Sequence, residues 1–145
     1  MPKDKTFEES LNSCLFFTVK KLDKVLNTYA DTAFAPTGLS PTYGFILLAL
    51  EEKDGLRQKD LSQLLHLAPS TLTRFIEKLV YKQLVTTQIQ GRETSVFLTE
   101  NGHEMAKEVK KSWDALHDRY FEILGKTFGD DLAVTLNDVA EDLKD

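Results

Sequence analysis

Apolar residues recur every three or four positions over most of the chain, and this spacing is the period of an amphipathic helix. The first stripe predicts one long helix with the positions Phe7, Leu11, Leu15, Thr18, Leu22, Val25 and Tyr29. Residues 35–38 break this pattern, and Ser40 followed by Pro41 predicts the start of a second helix, because serine is a favoured N-cap and proline suits the first turn. Residues 45–50 are apolar on nearly all sides, so we expect this second helix to be the central core helix.

Two shorter helices are predicted after a polar turn at residues 51–55. The first covers residues 58–66 and is expected to turn Leu61, Leu64 and Leu65 inward. The second begins at Pro69, and its apolar residues at i, i+3, i+4, i+7 and i+8 are Leu72, Phe75, Ile76, Leu79 and Val80. Two short helices joined by a tight turn predict a helix-turn-helix, in which the second helix reads DNA.

Residues 85–89 and 94–98 are rich in β-branched and aromatic residues, which predicts two strands. The turn between them, residues 90–93 (Gln-Gly-Arg-Glu), is a hairpin signal, so the helix-turn-helix is expected to carry a β-wing.

The C-terminal part is again helical. Thr99 is a capping residue, and the helix after it has the apolar positions Met105, Val109, Trp113, Leu116, Tyr120 and Leu124. Residues 125–129 are expected to interrupt it before a last short helix with Leu132, Leu136, Val139 and Leu143. A compact winged core offers these stripes few partners, so a second subunit is predicted to cover them.

Length and composition favour one soluble structural unit. The chain has 145 residues, of which 41% are hydrophobic and 28% charged, and it has no signal-peptide pattern, so we expect a cytoplasmic protein. Its single cysteine excludes an intramolecular disulfide framework and a cysteine-rich zinc site.

The charge of the chain is unevenly distributed. The formal net charge is −5, but residues 56–93 hold six lysines and arginines against three acidic residues. That segment therefore carries +3 and the remainder −8. A basic centre with acidic flanks fits a DNA-binding segment, and a solvated charged surface would explain the same pattern.

On the helix that begins at Pro69, the positions opposite the apolar stripe combine small hydroxyls with charges. They are Ser70, Thr73, Arg74, Glu77 and Lys78. This set suits base edges and phosphates in a major groove. The alternative is an ordinary solvated helix face.

Four segments resemble the MarR (multiple antibiotic resistance regulator) family of transcriptional regulators. They are residues 39–45 (LSPTYGF), 58–65 (QKDLSQLL), 70–74 (STLTR) and 98–102 (LTENG). The resemblance covers nearly the whole chain. It implies a mostly α fold with a small β-wing in a single domain over residues 1–145, with the winged helix-turn-helix at 36–102 and dimerisation helices at 1–35 and 103–145. It also implies a homodimer that binds a pseudo-palindromic operator, usually as a repressor released by a small molecule or an oxidant.

The resemblance further implies which residues contact DNA. Those expected to face the major groove are Ser70, Thr71, Thr73, Arg74 and Lys78. Gln58 would lie at a helix N-terminus near phosphate, and Arg92 would enter the minor groove from the wing tip. Two positions depart from the family pattern: Gln90 replaces a common Asp in the wing, and Ala68 replaces a capping Asp. Ser70 and Thr71 are equally compatible with ordinary first-turn residues.

Other residues are candidates for effector sensing. Cys14 lies where a peroxide-sensing branch of the family keeps a reactive cysteine, and it is either a thiol switch or a small buried hydrophobe. The aromatic residues that could line a pocket for a phenolic ligand are Phe16, Phe17, Tyr29, Tyr43 and Trp113. Aromatic residues at helical spacing are also typical of a core. The three histidines are far apart in sequence, so no metal site is predicted.

The sequence bears on two other functional classes. An enzyme is not expected, because the chain has no Gly-x-Ser-x-Gly motif, no Gly-rich phosphate loop and no metal-spaced His and Glu, and no cofactor is predicted. The serious alternative is a winged-helix protein-interaction module without specific DNA binding. Arg74, Lys78 and Arg92 discriminate against it, since such a module has no need for cations on both the helix and the wing tip. The sequence does not separate a repressor from an activator.

Overall fold

The computed structural model describes residues 4–144, which form seven α-helices and one two-stranded antiparallel sheet. The helices are α1 (Phe7–Asn12), α2 (Leu15–Phe34), α3 (Pro41–Glu52), α4 (Gln58–Leu65), α5 (Pro69–Tyr81), α6 (Glu100–Leu124) and α7 (Lys126–Leu143). The strands β1 (Val85–Gln90) and β2 (Glu93–Leu98) lie between α5 and α6. A 3₁₀ turn (Ala35–Thr37) joins α2 to α3. The predicted class, mostly α with a small β-wing, is confirmed.

The prediction of one long first helix is wrong, because the chain forms two helices, α1 and α2, with a break between them. Ser13 ends α1, and its hydroxyl donates to the carbonyl of Glu9 at 2.9 Å, a local bond that competes with helix continuation. Cys14 follows in an extended conformation as the N-cap of α2. Beyond that break, α2 continues five residues past Tyr29 to Phe34, so most of the predicted stripe lies on it.

The prediction that the second helix is central is confirmed for α3. Ile46, Leu47 and Leu50 are fully buried, and the helix contacts α2, α4, α6 and β2. Within the described residues no single helix is long and apolar enough to span a membrane. Only Leu15–Thr37 and Pro41–Glu52 taken together have that length and apolar composition, and they are bent by 65° relative to each other.

The helix-turn-helix is formed by α4 and α5, with two corrections to the predicted apolar faces. Leu61 is buried and Leu65 half-buried, but Leu64 is 58% exposed because it borders an open groove. On α5 the stripe is buried at Leu72, Ile76 and Leu79 and half-buried at Phe75. Val80 is exposed, since the residue after Leu79 is turned by about 100° around the helix axis.

The wing has longer strands and a tighter turn than predicted. Gln90 pairs with Glu93, so the predicted four-residue turn contains only Gly91 and Arg92. Gly91 has a φ of +63°, a conformation that favours glycine at the first position of a two-residue hairpin turn. The base of the wing is attached to the α3–α4 connection: the Val96 amide donates to the Leu56 carbonyl at 2.9 Å.

The terminal helices leave a large apolar surface. Thr99 caps α6 as predicted, its hydroxyl accepting from the Gly102 amide at 2.9 Å. The predicted interruption at 125–129 is too long: only Gly125 breaks the helix, and α7 begins at Lys126. Exposed apolar side chains on the terminal helices are Phe7, Leu15, Phe16, Val19, Val25, Ile123, Leu124, Phe128, Val134, Leu136 and Leu143.

Close packing at Gly102 generates the first prediction. A Cβ at this position would collide with the carbonyl oxygen of Leu84, which also accepts a hydrogen bond from the Thr99 amide. We expect Gly102→Ala to lower the free energy of unfolding by about 2 kcal/mol, as overpacking does. Asn101→Ala, one residue earlier on an exposed side of α6, should change it by less than about 0.5 kcal/mol.

Urea unfolding followed by circular dichroism, at one fixed protein concentration, measures both changes. Equal stability of the Gly102→Ala and Asn101→Ala variants would contradict the close packing of α6 on the α5–β1 connection.

Candidate nucleic-acid interface

The outer face of α5 carries a row of exposed polar residues at intervals of four. Ser70, Arg74 and Lys78 are all exposed and lie on one side of the helix. Ala68 is the N-cap and provides no side-chain hydrogen bond, so the first backbone N–H groups of α5 lack that partner. A helix N-terminus of this kind favours anions through its amides and dipole.

The structure brings two further predicted residues, Gln58 and Thr73, together with each other. The Thr73 hydroxyl donates to the Pro69 carbonyl at 3.0 Å and lies 3.4 Å from the Gln58 side-chain oxygen. Both residues are only partly exposed. Gln58 and Thr73 therefore connect the first turns of α4 and α5. Some of the hydrogen-bonding capacity of their side chains is already taken up within the protein.

A small cleft on the same side of α5 contains an aromatic residue that the sequence placed elsewhere. The cleft has a volume of about 310 Å³ and is lined by Tyr43, Thr71, Arg74, Phe75 and Lys78. The rings of Tyr43 and Phe75 pack edge to face with centroids 4.6 Å apart. Tyr43 thus lies beside the cations of α5. No local sequence signal shows this, because Tyr43 and Phe75 are far apart in the sequence and meet only in the folded chain.

Arg92 lies at the tip of the wing and is exposed. Arg57, the N-cap residue of α4, connects the wing to the helix-turn-helix: its Nη1 lies 2.8 Å from Glu93 Oε1, and its Nε lies 3.0 Å from Asp60 Oδ2. From the sequence, Arg57 contributes only to the charge balance of residues 56–93. Its pairing with Asp60 is predictable from their i, i+3 spacing. Its pairing with Glu93 is not, because the two residues are far apart in the sequence.

The hydrogen bond from Arg57 lowers the pKa of Asp60 below its usual value, while burial acts in the opposite direction. The same hydrogen bond raises the pKa of Arg57. Arg57 is therefore occupied by two carboxylates. By contrast, no ion pair found within residues 4–144 includes Arg74, Lys78 or Arg92. Those three cations remain available to an anionic partner.

An open groove of about 820 Å³ lies between α3, α4 and α6. Its lining residues are Phe45, Leu48, Ala49, Glu51, Glu52, Leu64, Leu65, Ala106, Lys107, Lys110 and Trp113. The rings of Phe45 and Trp113 pack edge to face at 5.7 Å. The groove therefore has an apolar and aromatic floor with charged residues along its walls.

Of the five aromatic residues predicted to line a ligand pocket, only Trp113 lines this groove within one chain. Phe16 is 73% exposed on α2, with the Lys20 ammonium 5.2 Å from its ring, and Phe17 is half-buried. Tyr29 lies 5.4 Å from the Arg119 guanidinium. A single chain does not bring these side chains together.

The remaining candidates lie apart from one another. Cys14 is exposed in the single chain, as are its neighbours Leu15 and Phe16 on α2. His103 pairs with Glu51 at 2.8 Å, and His117 packs beside Trp113. No three His, Cys, Asp or Glu side chains among residues 4–144 are placed to hold one metal ion.

The elements and their order define a winged helix-turn-helix protein. The model of the MarR family matches residues 39–90, from just before α3 to the end of β1. The resemblance inferred from the sequence is confirmed: the MarR family model matches the segment that contains α3, α4, α5 and β1. A comparison with curated proteins gave no match.

Solved structures give the same result over most of the chain. A MarR-family transcriptional regulator from Rhodococcus sp. RHA1 is 26% identical, with 88% of this chain and 96% of that chain covered and a TM-score of 0.76. CouR from Rhodococcus jostii RHA1, bound to p-coumaroyl-CoA, is 27% identical over 90% and 94%, also with a TM-score of 0.76. The transcriptional repressor CouR bound to a 23-mer DNA duplex matches in fold, with a TM-score of 0.85 at 21% identity over 94% and 99%.

The Arg57–Asp60 contact generates a prediction about pH. We expect Arg57→Gln to raise the pKa of Asp60 toward its ordinary value, because the hydrogen bond that lowers it is lost. In the unmodified protein the folded-state pKa is lowered, so this pair stabilises the fold at neutral pH. That stabilisation is lost as the pH falls through the lowered value.

A carbon-detected NMR titration of the Asp side chains reports the pKa of Asp60 directly. Arg92→Gln, which removes a cation that makes no contact with Asp60, serves as the control and should leave the titration unchanged. An Asp60 titration that is the same with and without Arg57 would contradict the contact.

Proposed function

We propose that the chain is a sequence-specific DNA-binding transcriptional regulator that binds a pseudo-palindromic operator as a homodimer. The observation that carries this proposal is a set of three exposed cations that form no ion pair within the described residues 4–144. They are Arg74 and Lys78 on α5 and Arg92 at the wing tip. Cations on two separate elements suit the two grooves of a duplex and are not needed by a module that binds protein. CouR, which is similar to this chain, is a transcriptional repressor, and we extend repression to this chain on that similarity.

The row on α5 would enter the major groove. Arg74, at its centre, has the forked guanidinium that reads guanine O6 and N7, whereas Lys78 is better suited to a phosphate. Ser70 and Thr71, in the first turn, would meet a phosphate near the N–H groups of the helix. Because Thr73 contacts Gln58, these two residues would fix α4 against α5 while Gln58 approaches the backbone of the DNA.

Arg92 would enter the minor groove. It follows Gly91 in a two-residue turn, so its side chain leaves the wing at the most distant point from the core. An arginine there responds to the narrow width and negative potential of A·T-rich segments more than to base identity. Gln90 adds a neutral amide where the family commonly has a carboxylate.

We infer that the terminal helices form the dimer interface, since their apolar side chains are exposed in a single chain. The whole chain would then be one domain, with residues 36–102 reading DNA and residues 1–35 and 103–145 joining the subunits. The two α5 helices would lie about 34–36 Å apart, one turn of DNA. Such a regulator works in the cytoplasm and requires neither catalytic residues nor a cofactor.

We further propose that an aromatic small molecule in the groove between α3, α4 and α6 releases the DNA. Trp113 and Phe45 provide stacking surface, and Lys107 and Lys110 provide cations for an acidic group. CouR, bound to p-coumaroyl-CoA in its structure, is the precedent for an aromatic effector. Phe16, Phe17 and Tyr29 could reach such a ligand only from a second subunit, and Tyr43 lies on the DNA side of α3. An oxidant acting on the exposed Cys14 is an alternative signal.

Binding to DNA provides the first functional test. In a fluorescence-anisotropy titration against duplex from the upstream region of its own gene, with excess unrelated competitor, we expect tight and competitor-resistant binding. Arg92→Ala should weaken binding to every duplex by a similar factor and reduce the slope of log affinity against log salt, because it removes a sequence-independent contact. Arg74→Ala should reduce the preference for the operator over competitor.

Lys111→Ala is the matched control, because Lys111 is exposed on α6 and pairs with Glu108 within that helix. It should leave both affinity and salt slope unchanged. Wild-type binding with no preference over competitor would overturn sequence-specific recognition of that duplex and direct the search to a distant operator or a protein partner.

The groove has a built-in reporter, because Trp113 is the only tryptophan in the chain. We expect p-coumaroyl-CoA or simple hydroxycinnamates to change its fluorescence and to release operator DNA at the same half-saturating concentration. Ala49→Leu, which narrows the groove, should weaken both effects together and leave DNA binding without ligand intact. Release of DNA with no change in Trp113 fluorescence would place the effector elsewhere.

A further inference from the structure

Arg57 is the only side chain in the described residues that forms ion pairs with both the helix-turn-helix and the wing. Its Nε and Nη2 approach the two oxygens of Asp60 in the first turn of α4, at 3.0 and 3.4 Å, while Nη1 donates to Glu93 at 2.8 Å. The planar fork of the guanidinium permits these contacts at the same time. A lysine in this position could not reproduce them.

The contact between Arg57 and Glu93 lies farther out on the wing than the backbone hydrogen bonds that join β2 to the rest of the protein. Nearer the base of the wing, β2 is held by the Val96 amide on the Leu56 carbonyl and by the Leu98 amide on Asp54 Oδ1, both at 2.9 Å. Arg57 also forms a backbone bridge with Ser95. Beyond Ser95 the hairpin extends to its turn, and Glu93, the first residue of β2, directly follows Arg92 of the turn.

We propose that Arg57 is a positioning residue, which holds the wing tip through Glu93 so that Arg92 points into the minor groove. The proposal rests on the proposed role of Arg92 in DNA binding. It also gives Glu93 a specific role. A carboxylate next to a DNA-contacting arginine repels phosphate. Glu93 can therefore favour DNA binding only by fixing the position of the wing tip.

The competing explanation is purely electrostatic. In it, Arg57 is one more cation facing the DNA, and Glu93 is one more anion that weakens binding. The two explanations predict opposite signs for the loss of the Glu93 charge. Exposed ion pairs are individually weak, but a dimer has two wings, so any effect on the binding constant is squared.

The first arm of the test compares Glu93→Gln with Glu77→Gln on operator duplex. Glu77 is an exposed carboxylate on α5 that makes no contact with Arg57, so its neutralisation should strengthen DNA binding by about twofold through reduced repulsion. We expect Glu93→Gln instead to weaken operator binding by about threefold or more. An affinity that is unchanged or increased by Glu93→Gln would overturn the proposal.

The second arm is a double-mutant cycle between Arg57→Lys and Arg92→Ala. Arg57→Lys keeps the charge and loses the fork, so we expect it to weaken binding, and Arg92→Ala should then cost less than it does in the wild type. Two independent phosphate contacts would instead give additive losses, and this result would also overturn the proposal. A merely structural role would not produce such coupling.

The outcome is separable from that of the proposed function. If Arg92→Ala itself leaves the wild-type affinity unchanged, the proposed role of the wing fails, and the positioning role of Arg57 fails with it. If Arg92→Ala weakens binding as expected but Glu93→Gln does not, only the positioning role fails. Circular dichroism and sedimentation of each variant confirm that fold and oligomeric state are retained, as expected for substitutions at exposed side chains.

Discussion

The functional elements of this chain depend on how closely α3 packs against α2 and α6. Gly44 permits this approach, since a Cβ at that position would lie 2.7 Å from the Phe34 ring and 3.0 Å from Val109. Around it, Ile46, Leu47 and Leu50 have no exposed surface. A close-packed interior deforms very little, so a displacement of α3 must move the elements that contact it, including α4 and β2.

The same helix forms a wall of two sites. Phe45, Leu48 and Ala49 face the aromatic groove, while Tyr43 lies in the cleft with Arg74 and Lys78. Leu65 of α4 also lines the groove, and α4 packs on α5. A ligand that prefers one position of α3 and α4 would therefore change the presentation of α5. Linkage requires the effect to be reciprocal, so bound DNA would weaken the ligand by the same factor.

The fold was largely predictable because helical period, capping residues and hairpin signals are local. Ser40, Thr99 and the Gly91 turn placed element boundaries to within a residue or two. The failures also have local causes. Ser13 ends α1 by bonding back to a carbonyl, and Gly125 alone is sufficient to break α6 from α7.

The candidate site was less predictable because its contacts are not local. The cations of α5 follow from helical spacing, but Arg57 and Glu93 are 36 residues apart and meet only after the wing folds onto α4. The position of Tyr43 beside Arg74 and Lys78 likewise depends on the contact of its ring with Phe75 of α5. Periodicity assigns a residue to a face of its own helix, and it does not say which neighbour that face meets.

Charge explains why geometry matters so much at the wing. The chain carries a net charge of −5, which repels a DNA duplex, so the proposed contacts of Arg74, Lys78 and Arg92 would have to supply local attraction. Against an overall repulsion, a cation contributes most to the affinity when its position is fixed before binding. A carboxylate close to the bound DNA weakens the affinity by repelling phosphate. It can favour binding overall only if fixing the position of the wing tip increases the affinity by more than this repulsion lowers it. Glu93, hydrogen-bonded to Arg57 beside the wing tip, is placed to meet that condition.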